Sequence, residues 1–273
     1  MAPDPATHRL APACTPLRVP PRYFLQPHVF LTRASRHWVI LDVHRDKYLC
    51  VDRRQFEALG PWIQGWDGVP AQDALVAVPP SPEAIALADR LRSLQMLSEQ
   101  SDGAKVAHAT VYAHPSDAVD PDTPEPLRRF RWTHAAVFLL SCAKASRQLR
   151  KQRFESIVAS TKARKSRGVR APAGFDIGRA RPLITVFDRL RWFYPRPYLC
   201  LFDSLALIHF LAHFRLHADW VFGVKADPFE AHCWVQADGL VLRHGGARVR
   251  IHPYHVPLGA ARTIETAVAC IIS

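Results

Sequence analysis

Residues 200–242 read CLFDSLALIHFLAHFRLHADWVFGVKADPFEAHCWVQADGLVL, and the spacing of apolar residues changes within this segment. Apolar side chains first recur three or four positions apart, which predicts a helix that starts at Cys200. Three runs of β-branched and aromatic residues follow at 219–224, 231–236 and 239–244, and turn residues separate them. The segment therefore predicts an α+β fold with a helix followed by antiparallel strands.

Cys200 and His232 are the candidates for chemistry in this segment. A cysteine at the first residue of a helix lies at the positive end of the helix dipole, which lowers the thiol pKa and favours the thiolate. His232 lies at the start of a predicted strand, 32 residues later. Papain-like and transglutaminase-like thiol enzymes pair such a cysteine with an imidazole base. The alternative is a buried, inert Cys200 and an incidental His232, since the chain has 6 cysteines and 14 histidines.

The residue that would orient His232 is open between His244 and Asp238. A three-residue loop at 237–239 would place His232 opposite His244, which could then orient the imidazole. A two-residue turn would instead place His244 opposite Cys233, with its side chain on the other face of the sheet. Asp238 lies in the turn, about 20 Å along the strand from His232 at about 3.3 Å per residue.

The composition favours a cytoplasmic protein with a substantial core. The chain has 273 residues, of which 48% are hydrophobic and 22% are charged. Its six cysteines have no paired spacing, which is typical of reduced cytosolic proteins. The N-terminus lacks the apolar core of a signal peptide, and no apolar stretch is suited to span a membrane. We therefore expect no membrane partner.

Changes in composition predict four parts of the chain. Residues 1–22 are interrupted by proline and are predicted to be a disordered N-terminus. Residues 23–100 are predicted to form a first domain, and residues 127–273 a second. Residues 101–126 between them are acidic and contain proline, which predicts a linker.

The first predicted domain resembles a winged helix, with three strands and helices. Runs at residues 28–34, 36–43 and 46–51 are β-branched and aromatic, and predict a three-stranded meander. Asp52 and Ser81 are suitable N-caps for two helices that follow.

The net charge of +12 is concentrated in residues 128–170, which contain thirteen Lys and Arg residues against one acidic residue. Such a stretch can follow the phosphates of a nucleic acid. Together with a winged-helix-like domain, it makes a DNA- or RNA-binding regulator the alternative function. A solvated basic face that meets an acidic partner or peptide is the simpler interpretation, so we do not expect nucleic acid as a partner.

Three histidines of the predicted helix, His209, His213 and His217, recur every four residues. This spacing could bind zinc, but no HExxH motif and no fourth ligand accompany it. We therefore expect no metal.

Residues 200–242 resemble the B proteins of lasso-peptide biosynthesis, which are leader peptidases with a transglutaminase-like fold. Their pattern is CLxxSLAL, an apolar helix, a strand ending in GV, then F-x-AHxWV and an acidic-Gly turn. The matching residues here are Cys200-Leu201, Ser204-Leu205-Ala206-Leu207, Gly223-Val224, Phe229, Ala231-His232, Trp234-Val235 and Asp238-Gly239. The resemblance is strong over residues 183–245.

The resemblance implies a cysteine peptidase that removes the leader of a precursor peptide. Cys200 would be the nucleophile and His232 the base. Members of the family usually have an aspartate twelve residues after the histidine, and this sequence departs from the pattern there because it has His244. The predicted catalytic residues are therefore Cys200, His232 and, from the hairpin geometry above, His244. The implied partner is an asparagine-synthetase-like lasso cyclase that uses ATP. The peptidase itself would need no cofactor, and any dependence on ATP would come through the cyclase.

The first domain then resembles the peptide-recognition element of such proteins, on the motif HWVILDVHRDKYLCVD at residues 37–52. By resemblance, the leader adds as a strand to the edge of the sheet and packs on a helix. The implied contacts are Lys47, Tyr48, Leu49 and Cys50 on the strand, and Leu87, Leu91 and Leu94 on the helix. The predicted fold is thus α+β throughout. A winged-helix-like recognition domain precedes a transglutaminase-like or papain-like peptidase domain.

Overall fold

The computed structural model of the protein describes residues 23–34, 37–64, 80–100, 117–118, 130–168, 175–197, 199–226, 228–238, 240–244 and 267–272. Helices and strands form a mixed α+β fold, which confirms the predicted fold class. The predicted disordered N-terminus and most of the predicted linker lie outside the described residues. No described helix is both long and apolar enough to cross a bilayer.

The described residues of the first part form a three-stranded antiparallel sheet with two α-helices, and the predicted meander is confirmed. The elements are β1 (Phe24–Leu25), β2 (Val29–Ala34), β3 (His37–Asp42), β4 (Lys47–Asp52), α1 (Arg53–Leu59), α2 (Pro82–Ser93) and β5 (Leu97–Ser98). The strand order is β2-β3-β4, so that β4 is an edge strand, and β1 pairs separately with β5.

The described residues of the second part form four α-helices and a five-stranded sheet. The elements are β6 (Asp117–Ala118), α3 (Trp132–Lys151), α4 (Phe154–Gly168), α5 (Ile177–Trp192), α6 (Cys200–His213), β7 (Asp219–Ala226), β8 (Phe229–Ala237), β9 (Leu240–His244) and β10 (Ala267–Ile272). The strand order is β10-β7-β8-β9-β6. Neighbouring strands are antiparallel except β6, which runs parallel to β9. The sheet thus contains the three predicted strands, β7, β8 and β9, and has one further strand at each edge, β10 beside β7 and β6 beside β9.

Local capping explains where several helices begin. Asp52 accepts the backbone N–H of Arg54 at 2.8 Å, and Ser81 accepts that of Ala84 at 3.2 Å. Asp176 caps α5 in the same way. Each side chain satisfies an N–H group that has no partner within its helix.

The basic helical region differs from its prediction. Apolar spacing predicts one helix over residues 134–160 with a loop after it, but the structure has two helices, α3 and α4. α4 continues to residue 168, so most of the basic residues lie on helices. α5 begins at Ile177, where Asp176 provides the cap.

The three-stranded sheet has two buried faces. On one face, Ile40 and Val51 pack in a cluster that includes Phe56 of α1. On the other face, Val39 is buried in the large cluster of the second part of the chain, and Tyr48 packs against that cluster. Since successive strand residues point to opposite faces, β3 contributes alternately to two cores. The sheet therefore brings Tyr48 of β4 into contact with β8, the strand that carries His232.

Candidate active site

Cys200 is the first residue of α6, as the sequence predicts, and its side chain is half-buried. The middle of α6, residues 202–211, is buried throughout. This burial anchors the helix in the core. The unpaired N–H groups at the start of a helix favour a negative charge there, so this position suits a thiolate.

A buried ion pair holds the segment that leads into α6. Arg191 of α5 and Asp203 of α6 pair directly, and neither side chain is exposed. The guanidinium also donates to three carbonyl oxygens within residues 194–197, at 2.9–3.3 Å. The second carboxylate oxygen of Asp203 accepts the N–H of Leu199 at 3.1 Å. The backbone on the N-terminal side of Cys200 is therefore tied to a buried charge network.

The Cys200 sulfur faces β8. Hydrogen bonding with the Cys233 thiol, and then with the His232 imidazole, lowers the pKa of Cys200 to about 4, against the opposing effect of burial. The Cys233 backbone N–H and the charge of His232 act in the same direction. Cys200 is therefore a thiolate at neutral pH, which is the nucleophilic form of cysteine.

Cys233 stays protonated beside this thiolate. Its hydrogen bond with Cys200, its burial and the charge of Cys200 raise the pKa of Cys233 well above the ordinary value. Its sulfur also lies 3.4 Å from the Ser204 hydroxyl oxygen. That hydroxyl donates to the Cys200 carbonyl oxygen at 2.6 Å and accepts the Trp220 indole N–H at 2.8 Å.

His232 is oriented by packing on its own strand. Its ring stacks with that of Trp234, with ring centroids 6.2 Å apart and an interplanar angle of 22°. The Trp234 indole N–H donates to Gln236 at 3.1 Å. The buried Nε2 atom of His232 has no hydrogen-bond partner among the described residues. This nitrogen is the position at which an orienting side chain would act.

The pairing of β8 with β9 differs from both predictions for His244. A bulge shifts the register between Val235 and the next residue, and His244 pairs with Trp234. The predicted pairings of His244 with His232 and with Cys233 are therefore both wrong, because a bulge changes which residues are opposite each other. The side chain of His244 lies outside the described residues, so its orienting role stays a prediction.

Asp238, the alternative orienting residue, is engaged elsewhere. It lies in the turn after β8 with a positive φ of 47°. Its carboxylate accepts the backbone N–H of Phe175 at 2.8 Å. This bond ties the turn to the start of α5.

The predicted leader-binding residues of β4 lie along the edge of the first sheet. Lys47 and Cys50 are exposed, and Leu49 packs partly against the core cluster of the first part. The Tyr48 ring meets the ring of Phe229 of β8 edge to face, with centroids 5.5 Å apart. β4 pairs with no further strand among the described residues.

The predicted leader-binding residues of α2 are less accessible. Leu87 and Leu91 are buried, at 6% and 1% exposure, in the same cluster as Phe56. Leu94, the residue after α2, is partly buried beside them. Of the three, only Leu94 has surface to offer a peptide without movement of the core.

The histidines of α6 border a cavity of about 410 Å³ that is also lined by Lys144 and Arg164. His209 accepts a hydrogen bond from Arg164 at 2.7 Å, and its other ring nitrogen bonds Gln148. Burial, and then the charges of Lys144 and Arg164, lower the pKa of His209 to about 3. Both nitrogens of this neutral ring are engaged, so His209 is not poised to bind zinc. No group of three potential metal ligands occurs among the described residues.

Sequence reasoning missed Cys233, Arg191 and Asp203. Strand alternation places Cys233 and His232 on opposite faces of β8, so neither spacing nor motif indicates that both approach Cys200. An acidic residue in the first turn of a helix is a common signal, but it does not identify a buried arginine as its partner.

A family comparison agrees with the geometry of the second part. Residues 128–256 match the family model described as the transglutaminase-like superfamily. No curated protein and no solved structure matches the chain. The matched residues include α3 to β9, and therefore the thiolate and imidazole described above. The chain thus contains a transglutaminase-like superfamily domain at residues 128–256, in which Cys200 and His232 come together.

Proposed function

We propose that this protein is a cysteine peptidase that removes the leader from a lasso-peptide precursor. The observation that carries the proposal is the placement of Cys200 at the start of α6 next to His232 of β8, in a transglutaminase-like domain that is compatible with cysteine peptidase activity. The motif around these two residues supports the narrower class of substrate.

The proposed reaction begins when the Cys200 thiolate attacks the carbonyl carbon of the scissile peptide bond. Backbone N–H groups at the start of α6 would stabilise the oxyanion that develops. His232 would donate a proton to the leaving amine, and a thioester with Cys200 would remain. His232 would then take a proton from water, whose oxygen attacks the thioester and releases the enzyme.

The position of β4 supports leader binding at the edge of the first sheet. An extended leader can add to an exposed edge strand through backbone hydrogen bonds. Tyr48 of this strand contacts Phe229, which is 46% exposed and lies three residues before His232. Three residues of strand span about 10 Å, so Tyr48 contacts β8 at roughly that distance from the imidazole.

The proposed product is a core peptide with a free amino group. Ring closure needs this amine as its nucleophile, so a separate enzyme must consume it. The proposed partners are therefore the precursor leader and an asparagine-synthetase-like cyclase that uses ATP. We place the reaction in the cytoplasm and propose no cofactor for this chain.

The nucleic-acid alternative is less well supported, because several residues of the basic stretch 128–170 make contacts within the protein. Arg153 contacts His44 at 2.9 Å, and Lys165 forms an ion pair with Asp219. Such residues stabilise the packing of α4 against its neighbours. A basic composition here therefore does not require a phosphate backbone as partner.

The decisive experiment uses the full chain with a lasso-precursor peptide, in the presence and absence of a lasso cyclase. Cys200→Ala should abolish leader release, measured by mass spectrometry, and should retain leader binding, measured by fluorescence anisotropy. Cys14→Ser is the control for loss of a thiol and should cleave normally. Unchanged cleavage by Cys200→Ala would refute the proposal. Incorporation of an added amine into a glutamine, with release of ammonia, would indicate a transglutaminase instead.

A further inference from the structure

Cys233 is a second thiol immediately beside the nucleophile. Cys200 and Ser204 are four residues apart, so they lie on the same face of α6. The Ser204 hydroxyl connects the two cysteines, because it donates to the Cys200 carbonyl oxygen at 2.6 Å and lies 3.4 Å from the Cys233 sulfur. α6 packs directly against β8, and the Cys233 thiol and backbone N–H lower the pKa of the Cys200 thiol. Both thiols are free in the structure.

The two thiols differ in access and in protonation. Cys200 is half-buried at a helix start, whereas Cys233 is only 2% exposed. The thiolate form reacts with oxidants, so an oxidant that enters the site meets Cys200 first. The protonated, buried Cys233 is protected from direct attack but lies within reach of the oxidised neighbour.

We propose that Cys200 and Cys233 are a site of reversible oxidation, at which a hydroperoxide converts the two thiols into a disulfide. The Cys200 thiolate attacks the terminal oxygen of the hydroperoxide, and the O–O bond breaks. The products are a sulfenic acid and hydroxide or alkoxide, which takes up a proton. Cys233 then loses its proton and attacks the Cys200 sulfur, the S–O bond breaks, and water leaves. The two sulfurs lose two electrons, which the hydroperoxide gains.

The disulfide would block the nucleophile and at the same time preserve it. A sulfenic acid with no neighbouring thiol proceeds to sulfinic and sulfonic acids, which simple thiols do not reduce. A disulfide is returned to two thiols by a dithiol reductant through thiol–disulfide exchange. This inference goes beyond the proposed peptidase function, and it holds whichever peptide the protein cleaves.

The test follows the oxidation state of each cysteine in the full chain. Trypsin separates Cys200 and Cys233, because they fall in the peptides 192–215 and 226–243, the first of which keeps its uncleavable Arg196-Pro197 bond. The reduced protein is treated with hydrogen peroxide, blocked with N-ethylmaleimide, digested and analysed by mass spectrometry. We expect the two peptides to appear covalently linked, with a mass two hydrogens below their sum. The link should disappear after dithiothreitol.

Cys233→Ser keeps a hydroxyl donor but removes the second thiol. In this variant we expect Cys200 to acquire two or three oxygens, and the thiol recovered with dithiothreitol to fall at least about tenfold below wild type. Cys50→Ser removes an exposed cysteine and should leave the link unchanged. Irreversible oxidation of Cys200 in the wild type, or a link from Cys200 to another cysteine or another chain, would overturn the proposal. The wild-type peptide map decides the question even if Cys233→Ser does not fold.

Discussion

The indole ring of Trp234 lies directly against Gly223, with which the neighbouring His232 pairs across β7 and β8. A Cβ atom at Gly223 would come within 2.7 and 2.9 Å of two ring carbons of Trp234. Only the absence of a side chain allows the indole to occupy this position. Because His232 stacks on the same indole, Gly223 indirectly determines where the imidazole lies.

Gly223→Ala should therefore displace the buried indole of Trp234. We expect a loss of about 1–3 kcal/mol in the free energy of unfolding, measured with urea, and slower leader cleavage because His232 shifts. Gly178→Ala is the matched control, since its nearest contact would be an ordinary 3.5 Å to Asp176. That variant should be as stable as wild type or slightly more stable, as alanine favours helices. Equal losses in both variants would contradict this account.

Removal of one partner from the Arg191–Asp203 pair should strongly destabilise the protein. Arg191→Met leaves the buried carboxylate without its counter-charge, which costs about 3–5 kcal/mol in the free energy of unfolding. The double variant Arg191→Met/Asp203→Leu should recover part of this loss, because no unpaired charge remains. Arg147→Met, at an exposed position on α3, should change stability by less than about 0.5 kcal/mol. A small loss of stability in Arg191→Met would contradict this prediction, because it would show that water solvates the Asp203 carboxylate when the guanidinium is removed.

Cys200 should still react with an alkylating reagent in mildly acidic solution, where an ordinary thiol does not. The rate of its reaction with iodoacetamide should rise through an inflection near its pKa of about 4 and remain constant above it. An ordinary thiol would show the inflection near pH 8.5, at about the reference value. Cys50 is exposed as a residue, but partial desolvation of its thiol raises its pKa, so it serves as an internal control that reacts only in alkaline solution. Identical pH profiles for the two cysteines would rule out the thiolate.

The orienting role of His244 is tested against Asp238. Since Nε2 of His232 has no partner among the described residues, a hydrogen bond from the β9 side would fix its tautomer. His244→Ala should slow single-turnover cleavage with little change in leader affinity, whereas Asp238→Ala should have little effect. The loss should be smaller than the roughly 10⁴-fold effect of altering a triad aspartate, because an imidazole carries no negative charge. Severe loss in Asp238→Ala alone would assign the role to the carboxylate.

Signals that are local in the sequence predicted much of the fold. Asp52 and Ser81 are capping residues whose side chains bond within three positions, so the starts of α1 and α2 could be predicted from neighbouring residues alone. The start of α6 at Cys200 and the three strands that follow it depend on apolar spacing over a few residues, which the sequence displays directly.

Features that depend on distant residues could not be predicted. The bulge after Val235 moves His244 by one position relative to β8, and no residue type in the hairpin signals it. The addition of Asp117–Ala118 to the edge of the sheet joins residues more than a hundred positions apart. The approach of Cys233 to Cys200 depends in the same way on how α6 packs against β8.

The two buried faces of the first sheet make each half of the chain a folding partner of the other. If the chain were cut within residues 101–126 and the two parts were separated, Val39 and the neighbouring apolar side chains on that face would be exposed to water. Each separated half would then expose an apolar surface that fits the other half. Such surfaces would favour reassociation of the halves or aggregation. The small sheet thus lies between two apolar cores, and a peptide added to its open edge would extend a sheet that packs against the core beneath Cys200 and His232.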